Sequence, residues 1–206
     1  MNRILYNKIN KADFQKIFKK KNYAFFTNGA YNLNIIGVRA ANRKVTNTFD
    51  DYIVVIYKTK TGTWNKRLFE ATTDPGLSYI KSPINEKIGT AILVPGQYRS
   101  AYKVGKHKNK YKALVQNKPV KVYRDRNKDN IYDCNPNSIE EGIFGINIHK
   151  AGTSSKLVDK WSAGCQVISS NLEFNCFMSL VDKQLANIKG DTFTYTLLNE
   201  EDLNEG

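Results

Sequence analysis

Cysteine is scarce in this chain: its 206 residues hold three, Cys134, Cys165 and Cys176. The number is odd, and none sits in a CxxC pair or at His/Cys ligand spacing, so neither a disulfide framework nor a structural zinc site is indicated. Histidine is scarcer still, with only His107 and His149. No stretch approaches the roughly 20 apolar residues of a membrane-spanning helix. The N-terminal "MNRILYNKINKADFQKIFKKKNYAFF" sustains no apolar run of signal length, which predicts synthesis and retention in the cytosol. Internal repeats, low-complexity segments and linkers are also lacking. One domain over residues 1–206 is expected, with 1–30 as a helical N-terminal addition and 199–206 as an acidic tail.

Acidic residues are outnumbered, 19 Asp and Glu against 32 Lys and Arg, for a formal net charge of +13. The basic residues are spread along the chain, so the surface attracts polyanions without choosing among nucleic acid, anionic lipid and bacterial wall polymers. No RNA-binding or zinc-finger motif accompanies the charge, and specific nucleic-acid recognition is not expected. The chain is 41% hydrophobic and 12% aromatic. Its Val, Ile, Tyr, Phe and Thr fall in short runs that favour strands: "NLNIIGVRA", "DYIVVIYK", "TWNKRLFEATT", "GTAILV", "QYRSAYKVG", "YKALVQ", "VKVYR", "GIFGINIH" and "TFTYTLL". Helical spacing recurs twice, at 10–21 with Asn10 as cap, and at 172–186 through Phe174, Phe177, Met178, Val181 and Leu185. The expected fold is mainly β, a sandwich or barrel with one N-terminal and one C-terminal helix.

Chemistry concentrates at "VDKWSAGCQVI", where Cys165 lies in a small-residue turn. His149 ends the run "GIFGINIH", sixteen residues earlier. A thiol attacks as its thiolate, and an adjacent imidazole takes the proton to form a Cys/His ion pair. The small residues Ala163 and Gly164 let a substrate carbonyl approach the backbone, where the Gly164 and Cys165 amides are placed to hold an oxyanion. The bland reading is a buried thiol in a glycine turn.

The pair "IHK…SAGCQV" resembles the signature of the L,D-transpeptidase catalytic domain, and "GTAILVPGQYRS" is similar to that family's strand entry. The resemblance covers about residues 88 to 170. It implies Cys165 as nucleophile, His149 as base, the main-chain carbonyl of Lys150 as the group orienting the imidazole, and Gly164, Cys165 and Ala163 as oxyanion donors. Ser162 would brace the turn or meet substrate, and Trp161 would line the groove or belong to the core. Ala163 replaces a frequent second His, and Gln166 stands where an apolar residue is usual. The implied fold is the L,D-transpeptidase-like sandwich or barrel. The implied activity is cysteine acyl transfer on the stem peptides of bacterial peptidoglycan, with no cofactor required. The expected protein is a monomer that reaches the wall after release or delivery, and the missing leader favours cleavage of the wall peptide over cross-linking. The alternative is a non-catalytic basic domain that binds the wall or another polyanion.

Two further features remain. His107, in the Lys-rich "VGKHKNKYKALVQ", reads as an exposed hairpin or lid residue able to contact substrate or serve as a substitute base. Asp125, Asn127, Asp129 and Asp133 in "DRNKDNIYD" crudely match an oxygen-rich calcium loop, against the plainer reading of a polar hairpin turn. Cys134 and Cys176 are assigned to structure.

Overall fold

The computed structural model describes residues 10–42, 44–153 and 155–205. Its first element, helix α1 (Lys11–Lys20), starts where the Asn10 side chain accepts the Ala12 and Asp13 amides while Asp13 reaches back to the Asn10 amide. That reciprocal cap satisfies donors the first turn would otherwise leave open. Its apolar stripe, Phe14, Ile17 and Phe18, is buried against Ile36, Val38, Tyr52, Val54, Ile56 and Leu198. Each such side chain contributes about 1.5–3 kcal/mol by leaving water. Residues 1–9 of the expected N-terminal addition lie outside the described residues.

Strands β1 (Asn34–Arg39), β2 (Asp51–Lys58) and β3 (Trp64–Thr72) form an antiparallel meander. β1 and β2 are apolar on both faces because both are covered. Ile36, Val54 and Ile56 meet α1, while Ile35, Ile53 and Val55 face the main core. The meander belongs to a closed eight-stranded barrel in the order β1, β11 (Thr192–Asn199), β5 (Gly96–His107), β6 (Tyr111–Gln116), β9 (Ile148–Lys150), β10 (Gln166–Ile168), β3, β2. Closure removes exposed sheet edges. A separate three-stranded sheet, β4 (Thr90–Leu93), β7 (Val120–Asp125) and β8 (Glu140–Gly142), contributes Leu93, Val120 and Val122 to the same core. Helix α3 (Asn171–Asn187), capped by the Ser170 side chain, adds Phe174, Phe177 and Val181. The fold is mainly β, and the barrel is the form taken.

One expectation needs correction. "GIFGINIH" is no continuous strand: only its two ends are paired, in β8 and β9, and 143–147 cross between the two sheets. Within the acidic tail, Glu200–Glu205 form a 3-10 helix that buries Leu203 in the same cluster as Phe14 and pairs Asp202 with Lys21 at 2.7 Å. A short helix α2 (Leu77–Lys81) follows the Asp74-Pro75-Gly76 turn. The Asn47 side chain accepts the Leu77 amide at its start.

Gly37 has a specific reason to lack a side chain: a Cβ there would lie 1.8 Å from the hydroxyl of Tyr195 on β11. Gly37→Ala is expected to lower unfolding free energy by about 1–3 kcal/mol through overpacking, measured by urea denaturation. Gly96→Ala, whose Cβ would meet nothing closer than 3.9 Å, is expected to stay within about 0.5 kcal/mol.

Candidate functional site

β9 and β10 answer the question the sixteen-residue spacing leaves open. They are parallel neighbours in the barrel, with Gln166 opposite Ile148 and Val167 opposite His149. Cys165 therefore emerges just before β10, beside Asn147, and His149 stands two pairs further along. The β5–β6 hairpin lies on the other side of β9, through the pairing of Leu114 with Ile148. Its turn is tight, with Lys108 and Asn109 both at positive φ and the Lys110 amide bonded to the His107 carbonyl, the primed geometry that matches strand twist. His107 and Tyr111 face each other across it.

These elements enclose a cavity of about 220 Å³ whose walls include Cys165, His149, His107, Asn147, Trp161 and Ala163. The Lys108 and Lys160 side chains make its border basic. Trp161 is 41% exposed and belongs to this wall, not to the core. His107 is only 7% exposed, and its ring stacks on His149 with centroids 3.9 Å apart and planes 20° from parallel. The exposed-loop reading of His107 is thus corrected: pairing of β5 with β6 turns the side chain inward.

His149 is 2% exposed, with Nδ1 2.8 Å from the Lys150 carbonyl oxygen. A carbonyl can only accept, so Nδ1 carries the proton and Nε2 the lone pair. The Tyr111 hydroxyl closes the arrangement, 3.2 Å from Nδ1 and 3.3 Å from the same carbonyl. Sequence reading passed over Tyr111, whose only signal was its position four residues after a histidine in a hairpin. Nε2 of His149 is buried without a hydrogen-bond partner. The Cys165 thiol points to the Gly145 carbonyl at 3.4 Å. The two groups share the cavity without bonding to each other.

The expected ion pair is accordingly corrected. Burial pushes the Cys165 thiol above its ordinary pKa, although the Asn147 amide and Lys108 pull it back. Burial, then the adjacent His107 ring, lowers His149 to about 3, against the opposing carbonyl of Lys150. Thiol and imidazole are both neutral at neutral pH. Any attack by this sulfur would need proton transfer in the same step and not a standing thiolate.

The turn before Cys165 also differs from expectation. Ser162 is fully buried and braces the turn: its hydroxyl donates to the Cys165 carbonyl at 2.8 Å and accepts the Gly164 amide at 3.2 Å. Gly164 is therefore not a free oxyanion donor. Its φ is +119°, and a Cβ on this residue would lie 2.5 Å from the Ala91 carbonyl oxygen, so glycine is required here. The Cys165 amide has no hydrogen-bond partner among the described residues.

The base of the turn is fastened to the barrel. Gln166 is fully buried, its oxygen accepting from Tyr195 Oη at 2.7 Å and its Nε2 placed 3.2 Å from the Gly164 carbonyl and 3.3 Å from that of Thr73. Thr73 is held in turn by Arg39 Nη2 at 2.9 Å and by Asp51. Arg39 also pairs with Asp74 at 2.8 Å. The Gly76 amide donates to the Ser162 carbonyl, completing the tie.

The other sequence candidates lie apart. Asn127 and Asp129 accept amides of their own loop, and Asp125 accepts that of Asp133. Among the described residues no group of three or more His, Cys, Asp or Glu is placed to hold a metal. Cys134 is half-buried beside Arg39, in a different cavity. Cys176 is exposed on α3, so the packing role expected of it is corrected.

Two outcomes follow from this geometry. Alkylation of Cys165 by iodoacetamide is expected to accelerate about tenfold per pH unit through neutrality, the behaviour of a thiol below its pKa; a rate plateau at about pH 5–7 would instead establish an ion pair. Gln166→Leu strands the Tyr195 hydroxyl and the Gly164 carbonyl, and is expected to cost about 2–4 kcal/mol of unfolding free energy in denaturant titration.

No protein-family model, curated protein or solved structure matches this chain.

Proposed function

We propose that the protein is a cysteine acyl-transfer enzyme, L,D-transpeptidase-like, acting on the stem peptides of bacterial peptidoglycan. The observation that carries the chemistry is the lone pair of His149 Nε2, buried without a partner in the cavity that also holds the Cys165 thiol. An unpaired buried acceptor costs about 1–3 kcal/mol. A side chain whose other nitrogen is anchored to a backbone carbonyl cannot rotate to relieve that cost, and the orphan marks the proton-accepting position.

In the reaction, Cys165 turns from the Gly145 carbonyl toward Nε2, which removes the thiol proton as the S–C bond forms. Charge on the imidazole is shared with the Lys150 carbonyl through Nδ1–H, and the Tyr111 hydroxyl keeps the ring in that plane. The Cys165 amide receives the developing oxyanion. Collapse expels the leaving amine with the proton from His149 and leaves a thioester. An incoming amine then gives a cross-link, while water gives cleavage. Lys108 and Lys160 at the cavity border suit a substrate bearing carboxylates, and the net charge of +13 favours approach to an anionic wall.

Purified sacculi incubated with wild type and with Cys165→Ala, followed by mass spectrometry of released and retained muropeptides, test this reading. Shortened stems or lost cross-links with wild type alone are the expected signature of a peptidase, and new cross-links that of a transferase. Identical products from both proteins would replace it with a non-catalytic basic domain.

A further inference from the structure

Resting on the reading of Cys165 as nucleophile, we propose that His107 is a second functional imidazole, a hydrogen-bond donor whose Nε2–H serves the oxygen of the acyl group under attack. The assignment begins at Asn147. Its side-chain oxygen accepts the Gln116 backbone amide at 2.9 Å. A backbone N–H only donates, so this contact fixes which end of the Asn147 amide is oxygen. The remaining end is the NH2 group, and it lies 3.1 Å from His107 Nδ1. Nδ1 of His107 must therefore carry the lone pair, and the proton sits on Nε2.

His149 is the opposite tautomer, protonated on Nδ1 by the demand of the Lys150 carbonyl. Two stacked imidazoles in one cavity thus present opposite chemistry: His149 offers a lone pair and His107 an N–H. Burial lowers the pKa of both, helped at His107 by the Lys108 charge and at His149 by the His107 ring. His107 Nε2 has no partner among the described residues, and the ring lines the cavity. Acyl transfer generally holds its oxyanion with at least two hydrogen bonds, and with the Gly164 amide engaged by Ser162, the turn is left with the amides of Ala163 and Cys165, which have no hydrogen-bond partner among the described residues. His107 adds a side-chain donor from the wall of the same cavity.

The step balances within the site. The thiol proton passes to His149 Nε2, the sulfur electron pair forms the S–C bond, and the carbonyl π pair moves onto oxygen, where it accepts the Cys165 N–H and His107 Nε2–H. Return of that pair to carbon expels the leaving group.

Two probes separate this role from packing. Acylation of Cys165 by p-nitrophenyl acetate passes through an oxyanion, whereas alkylation by iodoacetamide displaces iodide without one. His107→Phe keeps a stacked ring and removes the donor; it is expected to slow acylation about 10²-fold, the usual cost of one oxyanion donor. Alkylation in the same variant is expected within about threefold of wild type, because the base and thiol are untouched. His107→Gln, which restores an N–H donor without titrating, is expected to recover at least about tenfold of the lost acylation rate. Equal slowing of both reactions in His107→Phe, or unchanged acylation, would overturn the assignment while leaving Cys165 as nucleophile. A wild-type thiol that alkylates yet is acylated no faster than the Cys165→Ala background would overturn the acyl-transfer reading, and this proposal with it.

Discussion

The side-chain amide of Gln166 is the contact on which the rest of the site hangs. It sits inside the barrel immediately after Cys165 and is fully buried. One end accepts from Tyr195 on β11, while the other reaches Gly164 in the turn and Thr73 at the end of the β3 segment. Three parts of the chain that are remote in sequence thus share one planar group. The Tyr195 hydroxyl and the Gly164 carbonyl would be unsatisfied buried groups without it, which makes the turn's position a matter of the whole core's stability. The space for Tyr195 exists because residue 37 is glycine. The Thr73 carbonyl is shared with Arg39, so the buried Arg39, Asp51 and Asp74 cluster acts on the Cys165 turn through one oxygen.

Burial has a second consequence at the site itself. Removing the thiol and imidazole from water disfavours their charged forms, and nothing nearby is negative enough to restore a cation on His149. Lys108 acts in opposite senses on the two, helping a thiolate and opposing an imidazolium. In the proposed reaction, a neutral resting pair would commit proton transfer to the step in which a substrate is already bound. The backbone does the orienting. Lys150 and Gln116 each contribute one main-chain group, and those two groups decide which nitrogen of each histidine holds its proton.

Much of this was legible in the residues. Asn10 and Asp13 mark the start of α1, Phe14, Ile17 and Phe18 its buried face, and the apolar run of β2 and the alternating run of β3 their strands, because caps and periodicity are local effects. Cys165 and His149 stood out as a nucleophile and base type in small-residue and strand-end settings. His107 did not: a histidine amid lysines reads as solvent-exposed until the hairpin pairs and turns it inward. Tyr111 and Gln166 carry no local signal for their roles, and "GIFGINIH" looked like one strand because apolar content does not reveal where a chain leaves one sheet for another.

By itself, the order of residues determined a mainly β chain with a capped N-terminal helix, a basic surface and a short inventory of reactive side chains, since these depend on neighbours a few positions away. Tertiary structure alone decided that β9 and β10 run side by side and bring residues 149 and 165 to one cavity. It also decided that the Gly164 amide is taken by Ser162, that the imidazoles stack, and that their tautomers differ. Those outcomes depend on burial and on hydrogen-bond partners distant in the chain, which exist only once the barrel has closed.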